Sequence, residues 1–487
     1  MVYIIKKDGT KEEFDASKIK RAVNKSAGRV MYRFTDDEIN FICKYATDRA
    51  EAMSKERKGG ILIQDMHNIV EGALEQVNPA VAKSYRDYRN YKVDFIHMMD
   101  EVYTKSQSIR YIGDKSNANT DSALVATKRS LIFNELNKEL YRKFFMNRNE
   151  LQACKDGYIY IHDQSARLDT MNCCLFDVGS VLRGGFEMGN VWYNEPKTLD
   201  TAFDVMGDII LSTAAQQYGG FTVPEVDKIL SPYAQKSYNK YYEEFLKYSD
   251  PSWEGREEKG RVYAWEKVCR DCDQGWQGIE YKLNTVGSSR GDYPFVTVTL
   301  GLGTGRFEKM ISKSLLKVHM GGQGKAGHKK PVLFPKIVFL YDEEIHGDGK
   351  ECEDVFEAGV ACSAKTMYPD WLSMSGQGYI SSMYKKYKKV ISPMGCRAFL
   401  SPWYERGGME PADENDVPVC RFNIGAVSLH LPMILAKARA ENTDFYEVLD
   451  FYLEMIRGLH KRTYDYLGEM RASTNPLAYC EGGFYGG

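Results

Sequence analysis

The chain of 487 residues has no run of about 18 or more apolar residues, so no helical membrane span is expected. It has no excess of either charge: 65 Lys and Arg stand against 67 Asp and Glu, a net charge of −2. That balance excludes nucleic-acid binding by bulk charge. No repeat of about 20–50 residues is visible, which argues against a solenoid, and no segment is of low complexity. The N-terminus, Met1-Val2-Tyr3-Ile4-Ile5-Lys6-Lys7-Asp8, alternates and is soon charged, so it does not read as a signal peptide. With 43% hydrophobic and 27% charged residues, whole-chain disorder, collagen and a coiled-coil rod are excluded. Eleven cysteines, an odd count without a signal, point to reduced thiols and a cytoplasmic protein rather than a disulfide framework.

At roughly 150 residues per domain the length suggests two to four domains, or one small and one large. Residues 1–92 read as a compact unit. A strand at Val2–Ile5, the turn signal Asp8-Gly9 and a return strand at Lys11–Phe14 make a hairpin. Asp15 stands where an N-cap would, before a helix beginning near Ser17. Helices near 36–55 and 64–77 follow, and a last one from Val81 to Arg89 closes the unit. A linker-like helix near 92–106 leads to the region 93–487. There short apolar strands (Tyr158–Ile161, Phe295–Leu300, Lys336–Leu340) alternate with helices, which favours an α/β layout with parallel pairing. The aromatic and charged stretch 233–271 reads as a surface helix.

Lys6, Lys7, Asp15 and Lys18 gather cations around a hairpin and a helix start, where a phosphate could be held. On this pattern alone a solvated hairpin with surface lysines is the preferred reading. Among the cysteines, Cys269-Arg270-Asp271-Cys272 is half of a zinc site with no second pair in the chain. No metal ligand set is therefore assigned. Cys173-Cys174 is a vicinal pair that reads either as two buried thiols or as chemistry. Cys396 lies in Ser392-Pro393-Met394-Gly395-Cys396-Arg397, a loop tip flanked by apolar residues. Such a tip would thrust a thiol into a dry, apolar setting, which suits radical chemistry. It suits a nucleophilic thiolate poorly, because burial raises a thiol pKa.

The run Ile5-Lys6-Lys7-Asp8-Gly9-Thr10 with Glu13-Phe14-Asp15, Lys18-Ile19 and Tyr85-Arg86-Asp87-Tyr88-Arg89 resembles the ATP-cone domain. The rest resembles the anaerobic, formate-using, glycyl-radical ribonucleoside-triphosphate reductases. The shared stretches include Ile159-Tyr160-Ile161-His162-Asp163, Asn172-Cys173, Gln216-Gln217-Tyr218-Gly219-Gly220, Phe334-Pro335-Lys336, Met394-Gly395-Cys396-Arg397, Arg421-Phe422-Asn423 and Asn475-Pro476-Leu477. The resemblance implies an ATP-cone, a small hairpin lid on a helical bundle, followed by an incomplete ten-stranded α/β barrel with a central finger loop. It implies that Cys396 carries a thiyl radical, that Cys173 donates hydrogen, and that Asn423 orients substrate. Cys174, one residue on, points away if the segment is a strand. His162, Asn172, Met394 and Arg397 become substrate-site candidates. Lys6, Lys7, Glu12, Asp15, Lys18 and, more loosely, His67 become nucleotide candidates in the cone. The loop residues Ser288, Ser289 and Arg290 become effector-loop candidates, against the plain reading of a polar turn.

By the same resemblance the substrates are ribonucleoside triphosphates, formate is the reductant, and ATP, dATP and other deoxynucleoside triphosphates are effectors. The expected partners are a radical S-adenosylmethionine activase with an iron-sulfur cluster and further copies of the chain, in a homodimer or larger assembly. No nucleic acid or membrane partner is expected. The family continues past Asn475-Pro476 to a four-cysteine zinc module and a glycyl-radical loop, neither of which occurs here. The ending Glu481-Gly482-Gly483-Phe484-Tyr485-Gly486-Gly487 has no Arg at the required offset. The expectation is therefore a truncated chain that is inactive alone, with the radical and zinc supplied by a missing region. Alternatives are a non-catalytic nucleotide-binding regulator and, on the vicinal cysteines, a pyruvate formate-lyase type enzyme.

Overall fold

The fold is that of a computed structural model, which describes all residues except 1, 7–8, 57–58, 112–120, 122, 286–290, 401–418 and 485–487. Two compact units result, Met1–Lys105 and Ser106–Gly487.

In the first unit, β1 (Tyr3–Ile5) and β2 (Lys11–Glu13) pair antiparallel with Ile4 opposite Glu12. A third strand, β3 (Ile61–Leu62), joins the other side of β1 in parallel, Ile4 opposite Ile61. Sequence reading passed over it because it is two residues long and runs straight into a helix. Gly60 leads into it at φ 109°, where a Cβ would lie 3.0 Å from the Tyr3 carbonyl, so a side chain there is both strained and crowded. Asp15 caps α1 (Ala16–Arg29), its Oδ1 accepting from the Ser17 amide at 2.8 Å. Ile19, Val23 and Ala27, four apart, put one face of α1 into a core shared with Ile42 and Ala46 of α2 (Asp36–Glu56) and Val70 and Leu74 of α3 (Ile63–Val77).

The closing helix and the linker helix are one element, α4 (Pro79–Tyr111), and not two. Asn78 caps it, accepting from Ala80 N and Val81 N at 3.0 and 3.2 Å. After Pro79 no Gly or Pro interrupts its 33 residues, so the helix has no reason to stop near 90. The boundary at residue 92 falls inside it.

The second unit is built on a six-stranded sheet. Its strands are β4 (Cys174–Leu175), β5 (Phe221–Val223), β6 (Val296–Leu300), β7 (Lys336–Tyr341), β8 (Asp370–Ser373) and β9 (Arg421–Phe422). They lie in the order β8-β7-β6-β5-β4-β9. The first five run parallel and β9 is antiparallel to β4. Crossover helices join the parallel strands: α5 (Leu199–Ala214), then α6 (Val226–Tyr248) with α7 (Arg256–Leu283), then α8 (Arg306–Gly321), then α9 (Glu353–Thr366). All five residues of β6 are buried, as expected of a central strand covered on both faces.

The stretch 233–271 is two helices, parted at 249–255 by Pro251 and by Gly255 at φ 68°. Nor does α7 lie wholly at the surface. Trp276 is fully buried, its indole N–H donating to Ile311 O at 3.3 Å and its ring edge-on to Phe203. Beside the sheet, Ile159–Ile161 pairs antiparallel with Val427–Leu429, Ile161 opposite Val427.

The segment 391–398 runs along one face of β6. Phe295, Thr297 and Thr299 alternate onto that face. Ser392 meets Thr299 hydroxyl to hydroxyl at 3.3 Å, and Arg397 donates from Nη1 to Thr297 Oγ1 at 3.3 Å. The segment closes a turn with Arg397 N donating to Met394 O and Met394 N to Ala398 O, both at 2.8 Å. Arg397 itself sits at φ 65°.

Candidate active site

The turn brings Cys396 to Cys173, at the entry to β4, and the two thiols share a hydrogen bond. That bond lowers the Cys396 pKa. The same bond, together with burial, raises that of Cys173. Cys173 also accepts from the Gly220 amide at 3.2 Å. Alternation turns Cys174 to the other face, where its thiol donates to Gln217 Oε1 at 3.1 Å and burial pushes its pKa up to about 12. It is a core thiol, removed from the pair.

Two glycines permit this approach. A Cβ on Gly220 would lie 2.7 Å from the Gly395 Cα and 2.9 Å from a Phe295 ring carbon. A Cβ on Gly395 would lie 2.7 Å from the same ring and 2.8 Å from the Gly220 Cα. The backbone of the finger therefore rests directly on the backbone leading into β5, with Phe295 wedged beside both.

Asn423 ties the site together. Its Nδ2 donates to the Met394 sulfur at 3.2 Å, while its Oδ1 accepts from Gly425 N at 3.2 Å and from Cys173 N at 3.5 Å. Its backbone exchanges bonds with this strand: Asn423 N donates to Cys173 O, and Asn172 N to Asn423 O, both at 2.9 Å. Asn172 is buried, and its Oδ1 accepts from the Cys173 thiol at 3.6 Å. Met394 is fully buried with Cys173 and Leu175 in one small apolar cluster, Leu400 packed beside it. Arg397 turns from the thiols to Asp370 at the start of β8, donating from Nε to Oδ2 at 2.8 Å. It is a brace for the finger. His162 bonds Ser428 Oγ through Nε2 at 2.8 Å, at the end of the strand paired with 427–429.

The finger differs from the sequence expectation in one respect. Cys396 is exposed and not enclosed, because among the described residues Phe295 and Gly220 wall one side of the tip. Sequence reasoning also missed Asp370, Phe295 and Thr297, which hold the finger from strands far away in the chain. No local pattern marks them.

The first unit has its own site, a cavity of about 600 Å³ between the hairpin and the helices. Lys6, Lys18 and His67 line it. Glu12 bridges Lys6, at 2.8 Å, and Lys18. Asp15 is committed to its helix cap. His67 Nδ1 bonds the Tyr85 hydroxyl at 2.8 Å, and burial pushes Tyr85 up to about 12. Arg21, Lys25 and Arg29 add a stripe four residues apart on α1, with Arg89 and Lys92 from α4. Of these, Arg21, Lys25 and Lys92 make no ion pair among the described residues. The stripe was readable in the sequence as an i, i+4, i+8 row and went unused. Lys7, Ser288, Ser289 and Arg290 lie outside the described residues. Cys272 is buried in α7 and Cys269 is half-buried one turn before it.

The sequence pattern of the anaerobic ribonucleoside-triphosphate reductases matches residues 116–485, and that of the ATP cone domain matches residues 2–93. The chain belongs to the anaerobic ribonucleoside-triphosphate reductase family, with an ATP cone at its N-terminus. It is 31% identical over 98% of its length to the anaerobic ribonucleoside-triphosphate reductase of Haemophilus influenzae, and spans 65% of that protein. The Escherichia coli relative of the same name is 29% identical over 99% of this chain and is again spanned over 65%. The Enterobacteria phage T4 relative is 33% identical over 76% of this chain and 59% of its own. This member of the reductase family therefore spans about two thirds of the length of the relatives it matches. Among solved structures, the anaerobic ribonucleotide reductase of Thermotoga maritima with glycerol in the active site superposes with a TM-score of 0.54 at 14% identity, over 82% of this chain and 66% of that one. At that identity the likeness is one of fold.

Proposed function

We propose that this chain supplies the allosteric cone and the thiol site of an enzyme that reduces ribonucleoside triphosphates to 2′-deoxyribonucleoside triphosphates. The observation that supports it most is the Cys396–Cys173 pair, hydrogen-bonded to each other and framed by Asn423 and Met394. In this reading Cys396, as a thiyl, takes the hydrogen from ribose C3′. The 2′-hydroxyl then leaves as water, and Cys173 returns a hydrogen atom to C2′. Asn423 offers both a donor and an acceptor to the sugar hydroxyls. Overall, a ribonucleotide, formate and a proton give a deoxyribonucleotide, carbon dioxide and water.

A glycyl radical in the remaining third of the relatives' length supplies the oxidation of the Cys396 thiol, and a radical S-adenosylmethionine activase with an iron-sulfur cluster generates it. The cationic cavity of the first unit takes ATP or dATP as the activity effector, and Ser288, Ser289 and Arg290 belong to the loop that reads other deoxynucleotides. Zinc belongs to the same remaining third. The six-stranded sheet is part of a ten-stranded barrel, and the chain works as a homodimer or larger assembly in the cytoplasm.

The test is production of dCTP from CTP with activase, S-adenosylmethionine and formate. It is run on the 487-residue polypeptide with and without a polypeptide covering the remaining third. dCTP only in the supplemented reaction is the expected result. No dCTP in either reaction rejects the catalytic reading, and dCTP without the supplement rejects the dependence on it. The cone favours a second reading in which nucleotide binding alone is the function. Equilibrium titrations with ATP, dATP and dTTP, showing binding where the supplemented reaction gives no turnover, would support it.

A further inference from the structure

Among the described residues, the base of the finger carries more positive than negative charge. Arg397 is matched by Asp370, which it grips at 2.8 Å. Lys336, the first residue of β7, feels the same Asp370 only at longer range and has no carboxylate of its own among the described residues. Its ammonium stands over the face of Phe295, 4.3 Å from the ring centroid, and it makes no ion pair among the described residues. Lys336 lies opposite Thr297 in the β6–β7 register, the residue whose hydroxyl accepts from Arg397. Phe295 is the ring that a Cβ on Gly395 would strike at 2.7 Å. The same aromatic ring therefore touches both the ammonium, on its face, and the backbone of the finger tip, at its edge. Among the described residues, two cations share one carboxylate, which leaves an excess positive charge in a half-buried place, where a charge without a full partner is costly. Partial burial and the nearby Arg397 hold the Lys336 pKa below the ordinary lysine range, an effect that the Asp370 carboxylate shared with Arg397 offsets only in part.

We propose that Lys336 is an anion-binding residue of the thiol site, seating an anionic oxygen beside Cys396. The oxygen would come from a small carboxylate such as formate or from a phosphate of the nucleotide substrate. The cation over the ring gives the anion a fixed point charge, and the aromatic wall keeps the organic part of the ligand against the finger. This deepens the reductase reading and rests on it for the identity of the ligands, but its test needs no radical and no second polypeptide.

The test compares alkylation of Cys396 by iodoacetate, an anion, with alkylation by iodoacetamide, a neutral reagent of the same shape. It uses the full 487-residue chain with peptide mass spectrometry as readout. Exposed Cys480 is the internal reference. A nearby uncompensated cation concentrates the anionic reagent, so the iodoacetate-to-iodoacetamide rate ratio should be higher at Cys396 than at Cys480. Lys336→Met should lower the Cys396 ratio by about threefold to tenfold while leaving Cys480 unchanged, and Lys336→Arg should retain it. Sodium formate in one arm and CTP in another should slow iodoacetate at Cys396 in the wild type and not in Lys336→Met. The arm that protects identifies the source of the anionic oxygen, and protection in neither arm overturns the proposal. An unchanged ratio in Lys336→Met overturns it as well. Should Lys336→Met not fold, the wild-type ratio must fall more steeply with added salt at Cys396 than at Cys480, and parallel salt curves overturn the proposal. Failure of the dCTP assay with a positive alkylation result would reject the reductase reading and leave the anion seat standing.

Discussion

The approach of the finger to β5 depends on the absence of one methyl group, and Gly220→Ala tests that dependence. An added Cβ would sit 2.7 Å from the Gly395 Cα and 2.9 Å from the Phe295 ring. Ordinary carbon contacts lie at about 3.5–4.0 Å, so the two backbones must part by about 1 Å. Neither side yields easily: Gly220 O accepts from Cys174 N at 2.9 Å, and the finger is pinned through Ser392 and Arg397. Overpacking of this kind costs about 1–3 kcal/mol of stability. Its effect on the thiols is sharper. A disulfide needs Cβ atoms about 3.5–4.5 Å apart, and a 1 Å displacement of a reacting group costs about 100-fold in rate where geometry is the main contribution. Gly220→Ala is therefore expected to slow diamide-driven formation of the Cys173–Cys396 disulfide by about 10-fold to 100-fold. Turnover in the supplemented enzyme should fall in parallel. Peptide mapping after quenching with N-ethylmaleimide measures the first quantity without any radical chemistry. A folded Gly220→Ala chain that forms the disulfide at the wild-type rate would show that the backbone contact does not place the thiols.

Three further outcomes follow from the same geometry. Asp370→Asn removes the carboxylate that anchors Arg397. It should slow the same disulfide and raise the iodoacetate preference of Cys396 by exposing a second unmatched cation, and a lowered preference would contradict the charge reading. Glu12→Gln releases Lys6 and Lys18 from their exposed bridge. ATP binding measured by calorimetry should tighten about threefold, and a tenfold weakening would mean that the carboxylate itself holds the nucleotide. Asp227 is fully buried, and burial pushes it from 3.8 up to about 6 although Gly301 N donates to it at 3.1 Å. A raised carboxyl pKa means that the folded chain keeps this proton above pH 4, where the unfolded chain has lost it. Its contribution to stability therefore declines as pH rises from about 4 to about 6, by something of order 3 kcal/mol. Asp227→Asn should flatten that part of the melting-temperature profile, and an unchanged slope would refute the assignment.

The parts of this molecule that were legible in the sequence are those set by short-range rules. The hairpin of β1 and β2, the cap at Asp15 and the strands around 159–161, 296–300 and 336–341 each follow from residues close in the chain. Where the sequence reading erred, a local rule had been given too little or too much weight. Helix α4 runs on through residue 92 because nothing in its composition stops it. The stretch 233–271 breaks at 249–255 because Pro251 and Gly255 do.

The candidate site was legible in a different sense. Cys396, Cys173 and Asn423 could be named from motifs, but nothing in the linear order says why a thiol at 396 should meet a thiol at 173. That meeting is produced by residues whose role exists only in three dimensions. Gly220 is small because Gly395 lies on it, Phe295 faces both, and Asp370 sits at the head of β8, where Arg397 reaches it. Such residues carry no signature, because a strand end with an aspartate or a phenylalanine is ordinary. They control how closely the two sulfurs approach each other. Moving the Cys396 backbone by about 1 Å would leave every motif residue in place and still separate the pair. The chemistry is therefore fixed less by the two cysteines than by the packed face of β6 beneath them.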